Sequence, residues 1–448
     1  MKKTYIDTAM ERIAPDLILK GGNVVDVFSG RVIKADVIIK DGIICGVGSY
    51  SGENEQDVSG KYIMPGFIDS HVHIESSMTQ PSEYAKAVMP HGITTVIADP
   101  HEITNVCGED GLEFMLKSAK NIPLDVNLML PSCVPATPFE HTGANLDAKT
   151  TQKLAPKFFG IGEMMNYPGI VSGDDETLGK LCLDIIDGHA PLLSGHELDA
   201  YTSAGIKTDH ECSVVEEMTE KISKGMYILL REGTLSLDVA KLIKGVTPYT
   251  LRRCAFCTDD RFVGEIIRDG SIDHCIRKAV SLGLNNIDAI IMATLNACEI
   301  YGMKNKGAIA PSYVADIVVA DDLNLSSISQ VYKNGKLVCE NGKALFECET
   351  VDNSKVTNTV HLPKISADFF KTDVKDKFDA IELIPESIIT KKVTVSYSDS
   401  LSKVCVIERH HNLGTKGIGF VTNYGITNGA IATSIGHDSH NVIVIGDN

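Results

Sequence analysis

Two rhythms of apolar and polar positions alternate along the chain. From Asp16 to Ser51, short β-branched runs (Leu17-Ile-Leu, Val24-Val25-Asp26-Val27, Val37-Ile38-Ile39, Ile43-Ile44) are separated by turn residues. Asp41-Gly42 between two such runs predicts a hairpin, because a two-residue hairpin turn needs positive φ at both positions. From Tyr62 the rhythm changes: short apolar strands, each closing on a polar residue, alternate with helical stretches. The strand ends are Asp69-Ser-His71-Val-His73, Ala98-Asp99, Met129-Leu-Pro131, Gly162-Glu163, Asp187-Gly-His189, Asp209-His210, Leu230-Arg231-Glu232 and Thr258-Asp259. They lie about one βα unit apart. Such a series predicts an α/β chain built on a (β/α)8 TIM-like barrel, with its chemistry at the C-terminal strand ends. After a helical stretch over Asn286–Tyr301, short β runs return at 315–320, 329–332 and 336–339, with Asn334-Gly335 as a second hairpin turn. The expected organisation is therefore a barrel over 62–303 and a small β-sandwich domain built from both its flanks, 1–61 and 304–350. A polar linker near Asp352–Thr359 precedes a partial C-terminal domain over 360–448, read as α+β or as all-β.

Composition narrows the class. The 448 residues are 43% hydrophobic with a net charge of -17. That balance argues against a nucleic-acid or anionic-membrane partner, both of which need a basic face, and favours a small or uncharged substrate. No apolar run reaches membrane-spanning length. Lys2 and Lys3 are not followed by an apolar stretch, so no secretory signal is expected. Twelve cysteines without framework spacing read as reduced thiols in a cytoplasmic protein. Cys254-x-x-Cys257 sits in an apolar segment and reads as core packing rather than half a zinc site.

The strand ends carry the chemistry. Side chains alternate faces along a strand, so His71 and His73 point the same way, about 6.5–7 Å apart along the backbone. Two imidazoles aimed at one point suit a divalent metal. The candidate ligands are His71, His73, Glu163, His189, His210 and Asp259. Six exceed what one catalytic ion uses while keeping an open position, so two ions are expected, with Glu163 as the bridge. A bridging hydroxide would be the nucleophile, since a bound ion lowers the pKa of water from 15.7 to about 7. Asp259 would accept its proton and pass it to the leaving group, with Asp260 as rival. His196 rivals His189 but precedes a helical segment rather than ending a strand. His101 and Glu102, on the turn set by Pro100, read either as substrate-orienting and proton-transferring groups or as a solvated loop pair. Arg231-Glu232 reads as a structural ion pair at the rim.

Pro65-Gly-Phe-Ile-Asp-Ser-His-Val-His resembles the first-strand motif of the amidohydrolase superfamily. Longer strings narrow the likeness: His71-Val-His-Ile-Glu-Ser-Ser-Met, Ala98-Asp-Pro-His-Glu-Ile, Gly162-Glu-Met-Met-Asn, Asp187-Gly-His-Ala-Pro, Thr208-Asp-His-Glu-Cys and Cys257-Thr-Asp-Asp-Arg resemble the bacterial and archaeal adenine deaminases. The resemblance implies hydrolysis of adenine to hypoxanthine and ammonia at a binuclear site favouring manganese, with iron(II) or zinc as alternatives, and a homo-oligomer. It carries the ligand roles to the same six residues and places His101 and Glu102 at the active site. Relatives of the dihydroorotase kind often use a carbamylated lysine as bridge; here Glu163 stands at that strand end. Family members continue beyond the His437-Asp-Ser-His440-Asn stretch. A truncated terminal domain with an open strand edge and exposed apolar surface is therefore expected here. His437, Asp438 and His440 would pack at the barrel mouth or serve only their own domain. Cleavage of a cyclic amide, and a catalytically impaired remnant, stand as the competing readings.

Overall fold

The computed structural model describes residues 2–373, 376–385, 389–396 and 401–447. At its centre run parallel strands β1 (Phe67–Val72), β2 (Ile93–Ala98), β3 (Asp125–Leu130), β4 (Gly160–Met164), β5 (Ile186–Gly188), β6 (Thr208–Asp209), β7 (Tyr227–Arg231) and β8 (Cys254–Cys257). They pair in sequence order as two arcs, β1 to β5 and β6 to β8. One seam is closed by backbone: the Asp259 N–H donates to the His71 carbonyl (3.0 Å) and the His73 N–H to the Asp259 carbonyl (3.2 Å). At the other seam the Gly188 N–H donates to the Thr208 hydroxyl (3.1 Å). The parallel sheet thus curls in the manner of a TIM-like barrel. Its strands are buried on both faces, all six residues of Ile93–Ala98 included, as expected where helices cover a parallel sheet. Those helices are amphipathic. The helix Ile272–Ser281 turns Ile272, Cys275, Ile276 and Ala279 inward, the i, i+3, i+4, i+7 spacing of one helical face. Each buried isoleucine contributes about 1.5–3 kcal/mol.

Strands Leu17–Asp26, Arg31–Lys40, Ile43–Gly48, Glu55–Asp57 and Tyr62–Pro65 join Ile317–Ala320, Ile328–Lys333, Lys336–Glu340 and Lys343–Ala344. Together they form one continuous nine-stranded sheet. The later runs complete the N-terminal sheet, with Tyr62–Pro65 antiparallel to Ile317–Ala320 at the join and Ile43 bridged to Val314. Both predicted hairpin turns take the left-handed conformation the argument requires, with Asp41 and Gly42 at φ 49° and 76° and Asn334 and Gly335 at 49° and 73°.

Among the described residues the C-terminal region takes the all-β alternative, not the α+β one: six strands form one sheet, accompanied only by the single 3-10 turn Ala367–Phe370. Thr390–Ser396 and Ala430–Thr433 are the edge strands of this sheet, the latter exposed throughout, and strand Val442–Gly446 is internal. It lies between Ser402–Ile407 and Ala430–Thr433 and pairs with both. No helix among the described residues is long and apolar enough to cross a membrane.

Candidate active site

Six side chains converge at the C-terminal ends of the parallel strands. The Nε2 atoms of His71 and His73 lie 3.2 Å apart, and the His71 ring stacks on His210 with centroids 4.0 Å apart. Asp259 Oδ1 stands 3.1 Å from His73 Nε2 and 3.7 Å from His71 Nε2. Glu163 faces the other way with both oxygens: Oε1 is 3.4 Å from His73 Nε2, and Oε2 is 2.5 Å from His189 Nδ1 and 3.1 Å from His210 Nε2. The triads His71–His73–Glu163, His71–His210–Asp259 and Glu163–His189–His210 each hold their donor atoms within 4.8 Å. His196, the rival of His189, is wholly exposed beside Asp199 and outside this cluster.

The donors fit divalent ions on this structure's own terms. His73 Nδ1 meets the Asp99 carbonyl at 2.8 Å. A ring nitrogen against a carbonyl carries the proton, which leaves the Nε2 lone pair facing the cluster. A second bare imidazole nitrogen, from His71, is aimed at it. Packing three buried imidazoles and the half-buried His189 against two carboxylates, with no thiolate, makes a nitrogen and oxygen donor set suited to divalent ions such as manganese, iron(II) or zinc. Burial pushes the Glu163 carboxyl up, but His189, His101 and His210 outweigh it and hold it well below the ordinary range. Burial likewise opposes ionisation of Asp259, and the His73 hydrogen bond and Arg231 charge prevail.

Asp259 is held in an uncommon way. It follows β8 at φ 57°, a left-handed conformation that costs a non-glycine residue roughly 1 kcal/mol or more. Its peptide is clamped to β1, as above, and its Oδ2 accepts from Arg231 Nη1 at 2.8 Å. Arg231 also reaches Glu211 and, through Nε, Asp238 at 3.0 Å. The expected Arg231–Glu232 pair is absent: Glu232 takes Lys278 instead. Successive strand residues face opposite sides, so the two side chains point away from each other. Asp260 points away from Arg231, accepting from Ser76 Oγ.

His101 and Glu102 are not a solvated loop pair. Both are buried and open the helix His101–Ser118 behind Pro100. His101 Nδ1 lies 3.2 Å from Glu163 Oε1, and its Nε2 lies 3.2 Å from Glu102 Oε1. Above them opens a cavity of about 510 Å³, within the range of small-molecule sites. Its wall includes Met165, Leu235, Phe262, Ile435 and the C-terminal His437 and Asp438. Sequence reasoning passed over the wall and the Arg231 contact. Its one usable signal was the His437-Asp-Ser-His440 cluster, whose place it left open.

A curled parallel sheet with such a strand-end cluster defines a metal-dependent hydrolase of the amidohydrolase class, and the profile described as Amidohydrolase family matches residues 62–338. Solved structures share this fold: the β-aspartyl dipeptidase of Fervidobacterium islandicum AW-1 (TM-score 0.54, 19% identity, 75% of this chain and 98% of that one) and an enamidase (TM-score 0.53, 18%, 74% and 97%). Within that class the chain belongs to the adenine deaminase family. The adenine deaminase C-terminal domain matches residues 383–448. The adenine deaminase of Clostridium acetobutylicum is 47% identical over 99% of this chain and 81% of its own length, and adenine deaminase 2 of Desulfotalea psychrophila 45% over the same shares.

Proposed function

We propose that the chain hydrolyses adenine to hypoxanthine and ammonia at the strand-end cluster, with two divalent ions, manganese foremost, held by His71, His73, Glu163, His189, His210 and Asp259. The observation that carries this reading is the convergence of those donors beneath a small-molecule cavity, in a chain of the adenine deaminase family. Bound ions would supply Lewis acidity, bringing water within reach of deprotonation near neutral pH. The remaining work falls to the chain's own groups. Asp259 has one oxygen facing the cluster and the other pinned by Arg231, so it stays ionised and accepts a proton at Oδ1. Returning that proton to the exocyclic nitrogen lets ammonia leave. His101 lies between Glu163 and Glu102, placing it to orient the purine and pass a proton at its Nε2.

The architecture we propose is a closed (β/α)8 barrel over 62–303, with one β domain from 1–61 and 304–350 and another over 360–448. The shared nine-stranded sheet and the two seams support it. A cytoplasmic homo-oligomer rests on the family resemblance.

The test is adenine turnover by the purified chain after manganese reconstitution under reducing, anaerobic conditions, followed by ultraviolet absorbance and ammonia release. Turnover that Asp259→Asn abolishes is the expected result. Two bound ions without turnover would overturn the substrate assignment, and absence of bound metal would overturn the ligand set.

A further inference from the structure

We infer that the C-terminal β domain is a working part of the active site, with His437 and His440 as positioning residues that hold Glu102 of the barrel in place. The activity arm of the inference rests on the deaminase reading; the structural arm does not.

Glu102 is buried at the start of its helix, and each of its oxygens is met by a different imidazole from the other domain. His437 Nδ1 donates to Oε1 and His440 Nε2 to Oε2. Asp438, between them, places Oδ1 3.4 Å from His101 Nε2. One short loop therefore touches both members of the His101–Glu102 pair. The loop itself is braced. His440 N–H donates to the Gly436 carbonyl at 2.6 Å, and His410 Nε2 meets the Ser439 carbonyl at 2.8 Å. Asn441 ties the loop to the barrel side, its Nδ2 donating to the His141 carbonyl at 2.7 Å, while its Oδ1 accepts the Arg409 N–H at 3.3 Å.

A carboxylate gripped at both oxygens cannot rotate, so its Oε1 stays 3.2 Å from His101 Nε2. Such fixing is what an orienting or proton-passing pair needs, since small misplacements of reacting groups are costly. Burial would push the Glu102 carboxyl up; His101, His437 and His440 hold it well below its ordinary range instead. The same loop contributes Ile435, His437 and Asp438 to the cavity wall, with Thr433 from the strand end before it, so docking and substrate enclosure are one event.

The donor atoms choose the variants. Asparagine at 437 keeps an N–H near the Nδ1 position, and glutamine at 440 keeps one near Nε2; alanine keeps neither. We expect His437→Ala and His440→Ala to lower kcat roughly 10–100-fold, the usual cost of removing an orienting partner. KM should stay within about threefold and the bound metal should equal that of the wild type. His437→Asn and His440→Gln should recover most of the loss. Wild-type kcat in the alanine variants, loss of metal, or conservative variants as impaired as alanine would each overturn the inference. Should the wild type itself leave adenine unchanged, the deaminase reading fails and hydrogen exchange decides this one. Glu102→Gln should speed amide exchange over 433–441, and unchanged exchange there would overturn the clamp.

Discussion

At the scale of single residues, the site depends on groups whose charge is matched inside the protein. Arg231 faces three carboxylates, Asp259, Glu211 and Asp238, all buried. Removing one partner of a buried ionic cluster leaves the others uncompensated, which costs about 3–5 kcal/mol. Arg231→Met should therefore destabilise the chain by that order in denaturant unfolding, although methionine fills much of the volume. Gly162 makes a second residue-scale case. A Cβ there would stand 2.1 Å from Asp99 Oδ2, the oxygen that accepts the Glu163 N–H at 2.9 Å. Gly162→Ala should expel Asp99 and loosen Glu163, costing roughly 1–3 kcal/mol as overpacking does and weakening metal retention by inductively coupled plasma analysis. The His-x-His pair was legible because strand period alone puts both rings on one face. The Arg231–Asp259 contact was not, because it needs the pairing of β7 with β8, which sets Arg231 opposite Cys257.

At the scale of elements, the apolar runs located the parallel strands well, since length and flanking polar residues are local signals. The helix starting at His101 was read as a loop: Pro100 marks a break, and Gly108 and Gly111 blur the helical pattern behind it. The C-terminal region was left open between α+β and all-β because the alternation of its strands is weak; Ala430–Thr433 is exposed throughout. Docking of that sheet on the barrel carries a pH dependence. The Glu102 hydrogen bond raises the His437 imidazole to about 9 against burial, with Asp260 adding to the rise and His73 opposing it. A histidine raised above its unfolded value contributes stability in full below about pH 6.5 and loses it as pH rises through about 9. Glu102, held low, contributes above its unfolded value near 4.5 and loses its share as pH falls further. Protection of 433–441 from limited proteolysis should therefore be greatest between about pH 4.5 and 6.5, decline as pH rises through about 9, and decline again as pH falls below about 4.5.

At the scale of the whole molecule, the proposed ligand set would make metal binding and folding one equilibrium, because its donors come from five different strand ends and meet only in the folded chain. A ligand bound only by the native state adds about 2.7 kcal/mol at a hundredfold excess over its Kd. Chelation should lower the calorimetric Tm by several degrees, and manganese should restore it; an unchanged Tm would remove the cluster as a metal site. The sequence by itself determined the strand positions, the two hairpin turns and the kinds of side chain offered at the strand ends. These depend on period and backbone preference, which act over a few neighbouring residues. Only the tertiary structure decided that Arg231 takes one oxygen of Asp259, and that His437 and His440 reach Glu102 across 335 and 338 positions of chain. Contacts of that kind depend on how separate elements pack against one another, and no local pattern encodes that packing.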